Sequence, residues 1–259
     1  MSGTDRVSVA IRDRVAVITM HRPPVNAVDF AMIDAIHDAM RAADADCGVG
    51  AIVLASDVPG IFSGGMDLSM VLEGDAQRLR RFLERFYLDT LDIQHNLSKP
   101  SIAAVSGAAR GAGMTLSITC DMIVAGEGAD LGYPEINVGL LPAIHFAHLP
   151  QQIGRVRAFE LLFTGEAFSP ATALELGLIN HVVPDDQVQE KALAIGRVFA
   201  AKSPLAMRTG RRAFMRTNDT GYRNAVADLV EMMVALTETP DGREGLAAFL
   251  QKRTPVWSS

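Results

Sequence analysis

The stretch 101–142 most limits the folds that this chain can adopt. Its sequence predicts a short buried strand that runs into a glycine-rich loop and then a helix. The apolar run Ser101–Val105 is too short for a helix of its own and ends just before Gly107, which is typical of a strand entering a tight turn. Gly111 and Gly113 follow, and an apolar helical pattern begins directly after them. The first amides of such a helix lack partners and stabilise a negatively charged oxygen, helped by the helix dipole. The sequence therefore predicts an anion-binding turn.

This loop does not match a phosphate-binding fingerprint. The residues from Gly107 to Gly113 read G-A-A-R-G-A-G, without the Lys-Ser/Thr of a P-loop and without the spacing of a dinucleotide-binding loop. A purely structural turn is therefore an equally good interpretation of this loop taken alone.

A second glycine-rich turn supports a functional interpretation. The segment IFSGGMDL, residues 61–68, follows the apolar strand Ala51–Ser56 and combines Gly64 and Gly65 with Asp67, an acid suited to cap a helix. Two such strand-to-helix turns can direct two backbone amides at one oxygen atom. Together the two turns predict an oxyanion hole.

Three motifs in this order, IFSGGMDL, KPSIAAVSGAARGAG and CDMIVAGEGADLGYPEINVGLLP, resemble the crotonase (enoyl-CoA hydratase/isomerase) family, and the resemblance covers essentially the whole chain. It implies an α/β fold, a crotonase-type spiral of β-β-α turns with a C-terminal helical oligomerisation region. We accordingly expect the spiral core over residues 1–200 and the helical region over 201–259, which in the family builds trimers and often dimers of trimers. The implied partners are an acyl-CoA or enoyl-CoA substrate and further copies of the chain, with fatty acid metabolism as the setting.

The resemblance also implies roles for individual residues. The oxyanion-hole amides fall at Met66, after SGG, and at Ala112, within GAG. The family's two catalytic glutamates fall at Glu135 and Thr115, so this chain lacks one of them. For Arg22, a contact with a coenzyme A phosphate competes with the interpretation of an ordinary solvated arginine. The full set expected to bind the substrate and its coenzyme A moiety is Arg22, Val25, Ser63, Gly64, Gly65, Asp67, Gly111, Phe249 and Lys252.

Glu135 has the sequence context of an acid–base group. It follows Tyr133-Pro134 and precedes a turn ending at Gly139, so its backbone is held stiffly. The apolar residues around it predict partial desolvation, which raises the pKa of a carboxyl group towards neutrality. The side chain of Thr115 can hydrogen-bond a water molecule but cannot take its proton near pH 7. Double-bond isomerisation, which needs one carboxylate, is therefore expected slightly ahead of hydration.

Two histidines open alternatives to this assignment. His145 and His148 lie in AIHFAHLP, where the family places a glycine-rich turn, and they share a face if the segment is helical. Either they shape the site, or His145 compensates for Thr115 as a catalytic group in a hydratase, a thioester hydrolase or a carbon–carbon lyase. A catalytically silent CoA-thioester-binding protein is a further alternative. The sequence offers no third ligand for a metal, and no cofactor is expected, since coenzyme A is part of the substrate.

Composition limits the remaining classes of protein. The chain has 259 residues with 49% hydrophobic composition, enough for one large core, and its formal net charge of -6 argues against nucleic acid or acidic membranes as partners. Two cysteines are too few for a disulfide framework, and neither a signal peptide nor a membrane-spanning run is recognisable. We therefore expect a cytoplasmic protein. Because no G-x-S-x-G elbow surrounds Ser106 or Ser117, the sequence argues against a serine peptidase.

Apolar periodicity predicts the main secondary structure. A hairpin is expected from Val7–Ile11 and Val15–Met20, and Asp29 is expected to cap the helix that follows. The three–four spacing of apolar residues predicts a helix from about 77 to 97. From position 144 onward helices dominate, with starts marked by prolines or capping residues.

Overall fold

Strands and helices alternate along the chain, of which the computed structural model describes residues 6–69, 75–218 and 221–257. The strands are β1 Val7–Arg12, β2 Val15–Met20, β3 Ala51–Ser56, β4 Ile61–Ser63, β5 Ser101–Val105, β6 Ala108–Arg110, β7 Met122–Gly126, β8 Leu131–Gly132, β9 Ala167–Phe168 and β10 His181–Val183. The helices are α1 Phe30–Ala45, α2 Ala76–Leu83, α3 Thr90–Asn96, α4 Ala112–Ile118, α5 Ala143–Ile153, α6 Arg155–Thr164, α7 Pro170–Glu175, α8 Val188–Ala200, α9 Pro204–Asn218, α10 Tyr222–Thr237 and α11 Pro240–Leu250. A π-helical turn, Glu84–Asp89, joins α2 to α3, and 3₁₀ turns lie at Pro134–Val138 and Asp185–Gln187.

The strands form two sheets that the chain visits in turn. Within the described residues, the larger sheet has the order β1-β2-β3-β5-β7-β10 and is parallel except for the β1–β2 hairpin. The smaller sheet has the order β4-β6-β8-β9 and is parallel except for the β8–β9 pair. Each of β3, β5 and β7 leads directly into a short strand of the smaller sheet. The chain therefore advances as the spiral of β-β-α turns that the family resemblance implies.

The central strands of the larger sheet are buried on both faces, whereas the edge strand β1 is mostly exposed. Along β2, Ile18 belongs to the larger hydrophobic core together with Ile33 of α1, whereas its neighbour Val17 belongs to a second core together with Leu193 of α8. Strands covered on both faces lack a polar face, which explains why β2, β3 and β5 read as nearly continuous apolar runs. Helices on both faces thus hold the sheet whose strand ends carry the glycine-rich turns.

Several local predictions are confirmed. The hairpin forms at the expected positions, with β1 extended by one residue to Arg12. Asp29 caps α1, since its Oδ1 accepts a hydrogen bond of 2.9 Å from the Met32 amide. Ser169 caps α7 in the same way, with Pro170 at the first helical position. These features depend on residues close together in sequence, which is why the sequence alone predicts them.

Other features were not predicted. The helix expected from 77 to 97 is present as α2 and α3, but the π-helical turn between them is not visible in the spacing of apolar residues. The strands β6, β8 and β9 have only two or three residues each and carry no pattern of their own. The prediction that Asp67 caps a helix depends on residues 70–74, which lie outside the described residues.

The C-terminal helices pack against the segments around the 3₁₀ turn Pro134–Val138. α10 contacts α2, α5 and the π-helical turn, and α11 contacts the 3₁₀ turn itself. The contact with α11 is close, since a Cβ atom on Gly245 would overlap the Val138 carbonyl oxygen. None of the helices in the described ranges combines the length and the apolar character needed to cross a bilayer.

Candidate active site

A buried asparagine fixes the first glycine-rich turn against the loop that follows β2. The Asn26 side chain donates to Ser56 Oγ at 2.8 Å and to the Phe62 carbonyl oxygen at 3.1 Å, and it accepts from the Arg22 amide at 2.6 Å. The Asn26 carbonyl oxygen in turn accepts from Ser63 Oγ at 2.9 Å. Because Asn26 is fully buried, these bonds are shielded from water and hold the turn after β4 in one conformation.

The hydrogen bonds around Met66 set the direction of its amide. The Val28 amide donates to the Gly65 carbonyl oxygen at 2.8 Å, and the Asp67 amide donates to the Val28 carbonyl oxygen at 2.9 Å. Peptide groups alternate in direction along an extended segment. The Met66 N–H group therefore points away from Val28, and Met66 itself lines a cavity.

The second turn begins α4 and lies directly against the first. Gly111 has φ +50° and ψ −109°, and its amide donates to the Gly132 carbonyl oxygen at 3.0 Å. A Cβ atom on Gly113 would overlap the Ser63 carbonyl oxygen, so glycine is required where the two turns meet. Ala112, between these glycines, is the first residue of α4, and its amide is one of the helix-starting donors that lack an intrahelical acceptor.

The two turns and Glu135 meet at one cavity of about 310 Å³. Met66 and Ala112, the residues expected to supply the oxyanion-hole amides, both line it, as do Gly64, Gly65 and Gly111. The remaining wall is mainly apolar and is completed by Leu68, Phe86, Tyr87, Arg110, Pro134, Val138, Leu140, Met233 and Phe249. The structure thus brings together, in one concave space, groups that lie about 70 residues apart in sequence.

Glu135 carries the carboxyl group of the cavity on the 3₁₀ turn after β8. Its Oε2 atom is buried and has no hydrogen-bond partner among the described residues. Burial raises the pKa of Glu135 from its ordinary value of 4.5 to about 7. Its Oε1 atom lies beside Gly111, where an added Cβ atom would come within 2.9 Å. A carboxyl group in this state can both accept and return a proton near neutral pH.

Thr115 and His145 lie behind the second turn, and neither lines the cavity. The Thr115 hydroxyl is 3.2 Å from His145 Nε2 and 3.5 Å from the Gly111 carbonyl oxygen. The Tyr133 ring packs on the His145 ring with centroids 4.4 Å apart. Burial, which outweighs the other influences, lowers the pKa of His145 well below its ordinary value, so the imidazole is neutral.

His148 is one turn further along α5, and its Nε2 atom is buried without a partner among the described residues. Burial lowers the pKa of His148 to about 4. His145 and His148 share a helix face, with ring centroids 6.5 Å apart. Within the ranges that the structure describes, no group of three His, Cys, Asp or Glu residues is arranged to hold a metal ion.

The other residues expected to bind coenzyme A lie mostly around the first turn. Arg22 donates to Asp67 at 2.6 Å and lies 3.4 Å from Asp29, so two carboxylates already neutralise its charge. The Val25 carbonyl oxygen accepts from the Gly64 amide at 2.7 Å. These contacts support the first glycine-rich turn. Four of the residues expected to bind the substrate do not line the cavity: Arg22, Val25, Ser63 and Asp67.

The C-terminal segment contributes one of its two predicted residues to the cavity. Phe249 of α11 lines the cavity, whereas Lys252 is exposed just beyond the helix and has φ +52°. Sequence reasoning missed Tyr87 and Met233, which lie on helices remote in sequence from the glycine turns. A signal for Tyr87 was present, because Tyr87 continues the spacing of the buried residues Leu79, Phe82, Leu83 and Phe86.

A two-sheet spiral in which two glycine-rich turns face one carboxyl group defines the crotonase class of proteins. The family described as Enoyl-CoA hydratase/isomerase matches residues 10–259, and the chain belongs to this family. The chain is 32% identical to a probable enoyl-CoA hydratase of Bacillus subtilis, over 96% of this chain and 97% of that protein. It is also 32% identical to the 2,3-dehydroadipyl-CoA hydratase of Escherichia coli, over 95% and 96% of the two chains.

Solved structures show the same fold. An enoyl-CoA hydratase from Mycobacterium avium subsp. paratuberculosis superposes with a TM-score of 0.84 at 25% identity, over 98% of this chain and 99% of that one. DspI of Pseudomonas aeruginosa superposes with a TM-score of 0.80 at 31% identity, over 98% of this chain and 97% of that one. The predicted fold class is thereby confirmed.

Proposed function

We propose that this chain acts on an acyl-CoA thioester and moves a carbon–carbon double bond, with Glu135 as the acid–base group. The observation that carries this proposal is the meeting of Met66, Ala112 and a buried, unpaired carboxyl group at one cavity. The position of the second family glutamate supports it, because Thr115 is buried, contacts His145 and does not line the cavity. One carboxyl group at the reacting carbons is sufficient for isomerisation.

The proposed reaction starts from a 3-enoyl-CoA whose thioester oxygen accepts hydrogen bonds from the Met66 and Ala112 amides. The Glu135 carboxylate removes a proton from the α carbon, and the electron pair of the C–H bond moves onto the thioester as an enolate. The protonated Glu135 then returns this proton to the γ carbon, which leaves the double bond between the α and β carbons. Amides that are already oriented stabilise the enolate, and losing one such donor costs about 10²- to 10³-fold in rate.

Hydration is the second candidate, and the names of the relatives favour it. Proteins described as hydratases are similar to this chain over nearly its full length. With a single carboxylate, Glu135 would take a proton from water as the water oxygen adds to the β carbon, and would then deliver that proton to the α carbon. Threonine cannot share this work as a base, which is why isomerisation is preferred here.

Two assays on the same preparation separate the candidates. Isomerisation of a 3-enoyl-CoA creates the absorbance of a conjugated thioester, whereas hydration of a 2-enoyl-CoA removes it. A saturated acyl-CoA incubated in D₂O reports removal of the α proton without either reaction. We expect conjugation and α-deuterium incorporation, both abolished in Glu135→Gln and both kept in Glu175→Gln, a change at an exposed glutamate of α7. Binding of acyl-CoA without any exchange would instead support the silent binding protein.

We also propose that copies of the chain associate as a trimer or a dimer of trimers through the C-terminal helices. Large apolar side chains that are exposed in the single chain support this proposal, among them Leu205 and Phe214 on α9 and Met232 on α10. Light scattering during size-exclusion chromatography measures the mass of the assembly, and a monomeric mass at micromolar concentration would contradict the proposal.

A further inference from the structure

The carbonyl group of Gly111 is held by hydrogen-bond donors from α4. The Thr115 amide donates to the Gly111 carbonyl oxygen at 3.1 Å, and the Thr115 hydroxyl lies 3.5 Å from the same oxygen. The hydroxyl also contacts His145 Nε2 at 3.2 Å. The Gly111 carbonyl acts on His145 as well, since it opposes the effect of burial on the pKa of the imidazole. Donors therefore surround this oxygen on its buried side.

The orientation of this carbonyl fixes the orientation of the next amide. The peptide unit between Gly111 and Ala112 is planar, and in a trans peptide the C=O and N–H bonds point in opposite directions. The Thr115 amide, the nearer donor at 3.1 Å, sets the direction of the Gly111 carbonyl along α4, so the Ala112 N–H group is directed away from Thr115, at the end of α4 that lines the cavity. The Thr115 hydroxyl, at 3.5 Å, adds a second and weaker contact to the same oxygen. Hydrogen bonds to the oxygen also polarise the peptide group, which strengthens its N–H as a donor.

A neighbouring acceptor determines which nitrogen of His145 carries the proton. His145 Nδ1 is buried without a partner among the described residues and stays unpaired in either tautomer, as a donor or as an acceptor. The Gly111 carbonyl oxygen accepts a hydrogen bond from the imidazole, which opposes the lowering of its pKa by burial, so the proton is on Nε2. With the proton on Nε2, the donors run in one direction, from His145 Nε2–H to Thr115 Oγ, and from the Thr115 hydroxyl to the Gly111 carbonyl oxygen.

We propose that Thr115 and His145 are positioning residues that orient the Ala112 amide as an oxyanion donor. Residue 115, a glutamate in the family, thus supports the oxyanion hole in this chain instead of moving a proton. The inference rests on the proposed function, because it needs a thioester oxygen at the hole. It also explains why a histidine stands at position 145: a neutral, buried imidazole supplies the N–H donor that turns the Thr115 hydroxyl towards Gly111.

Thr115→Val tests this proposal with little change in side-chain volume. We expect the dissociation constant of a saturated acyl-CoA to stay within about twofold and the turnover to fall about 10-fold, less than the loss of a whole oxyanion donor. The stretching frequency of the bound thioester carbonyl, measured by difference infrared spectroscopy, should shift back towards its value in water. Thr115→Ser, which keeps the hydroxyl, should restore both the frequency and the rate.

The two histidines of α5 give a matched pair. His145→Phe should reproduce the spectral and kinetic effects of Thr115→Val, whereas His148→Phe, a change at a buried ring with no contact to Thr115 in the described structure, should leave both unchanged. A Thr115→Val protein that folds and keeps the full carbonyl shift and turnover would overturn the positioning role. If the wild-type protein itself produces no carbonyl shift with bound acyl-CoA, the proposed function fails, and this result is distinct from the first.

Discussion

Replacing Glu135 by glutamine removes a buried carboxyl group from the cavity while nearly preserving its shape. Oε2 of Glu135 is buried without a partner in the described part of the chain, and the main influence on its pKa is desolvation. A hydrogen bond from the backbone amide of Glu135 favours the ionised form but offsets only part of the loss of hydration. This substitution should consequently change how the stability of the protein depends on pH.

The size and sign of the effect follow from the pKa of the folded state. Burial raises the pKa of Glu135 from 4.5 to about 7, so between these pH values the folded protein binds more protons than the unfolded chain. The free energy of unfolding then falls as the pH rises through this window. Since each pKa unit corresponds to about 1.4 kcal/mol, ionisation of this one group destabilises the fold by about 3 kcal/mol above pH 7.

Urea denaturation followed by circular dichroism at pH 5 and at pH 8 measures this effect. The difference in unfolding free energy between Glu135→Gln and the wild-type protein should grow in favour of the variant by about 2.5 kcal/mol from pH 5 to pH 8. Glu175→Gln, a change at an exposed site, should follow the wild-type protein at both pH values. If Glu135→Gln also runs parallel to the wild-type protein, the carboxyl group is not desolvated and the reasoning about its acid–base role is wrong.

Two further substitutions test the turns that build the site. Gly111→Ala and Gly177→Ala both place a side chain at positive φ, +50° and +77°, and each should lose about 1–3 kcal/mol of stability. Only Gly111→Ala also brings a Cβ atom to 2.9 Å from the Glu135 carboxyl group. Turnover should therefore fall about 10-fold in this variant alone. Equal turnover in the two variants would refute the contact with Glu135. Asn26→Ala should lower the free energy of unfolding by about 1–3 kcal/mol, because it leaves the buried partners of Asn26 without hydrogen bonds. An unchanged urea midpoint would show that these hydrogen bonds do not stabilise the first glycine-rich turn.

The sequence was informative wherever a feature depends on neighbouring residues. The hairpin and the Asp29 cap each follow from a pattern of neighbouring residues, and the helix predicted directly after Gly113 begins at Ala112, slightly earlier than expected. The apolar setting of Glu135 also followed from its immediate neighbours, and burial does raise its pKa. The motifs then supplied the family, which no propensity argument could provide.

Features that depend on distant segments could not be predicted. The pairing of β4 with β6 and of β6 with β8 joins two- or three-residue strands whose sequences show no alternation, so only the packing of the spiral specifies them. The contact between Thr115 and His145 joins helices 30 residues apart. Phe86 and Tyr87 line the cavity because their helical segment packs beside the glycine turns, and local spacing predicts their burial but not the cavity that they line.

Gly111 links the turn that begins α4 to the carboxyl group of the cavity. Its amide is held by Gly132, its carbonyl oxygen by Thr115, and its α carbon lies against the Glu135 carboxyl group. These three contacts restrict the peptide unit between Gly111 and Ala112, whose N–H group is the proposed second oxyanion donor. Any Cβ atom would strain the backbone and displace Glu135 together, so the oxyanion donor and the base are coupled through one residue. A substitution that relaxes this turn should therefore weaken proton transfer and enolate stabilisation at the same time, and the two losses should not be separable by mutation at Gly111.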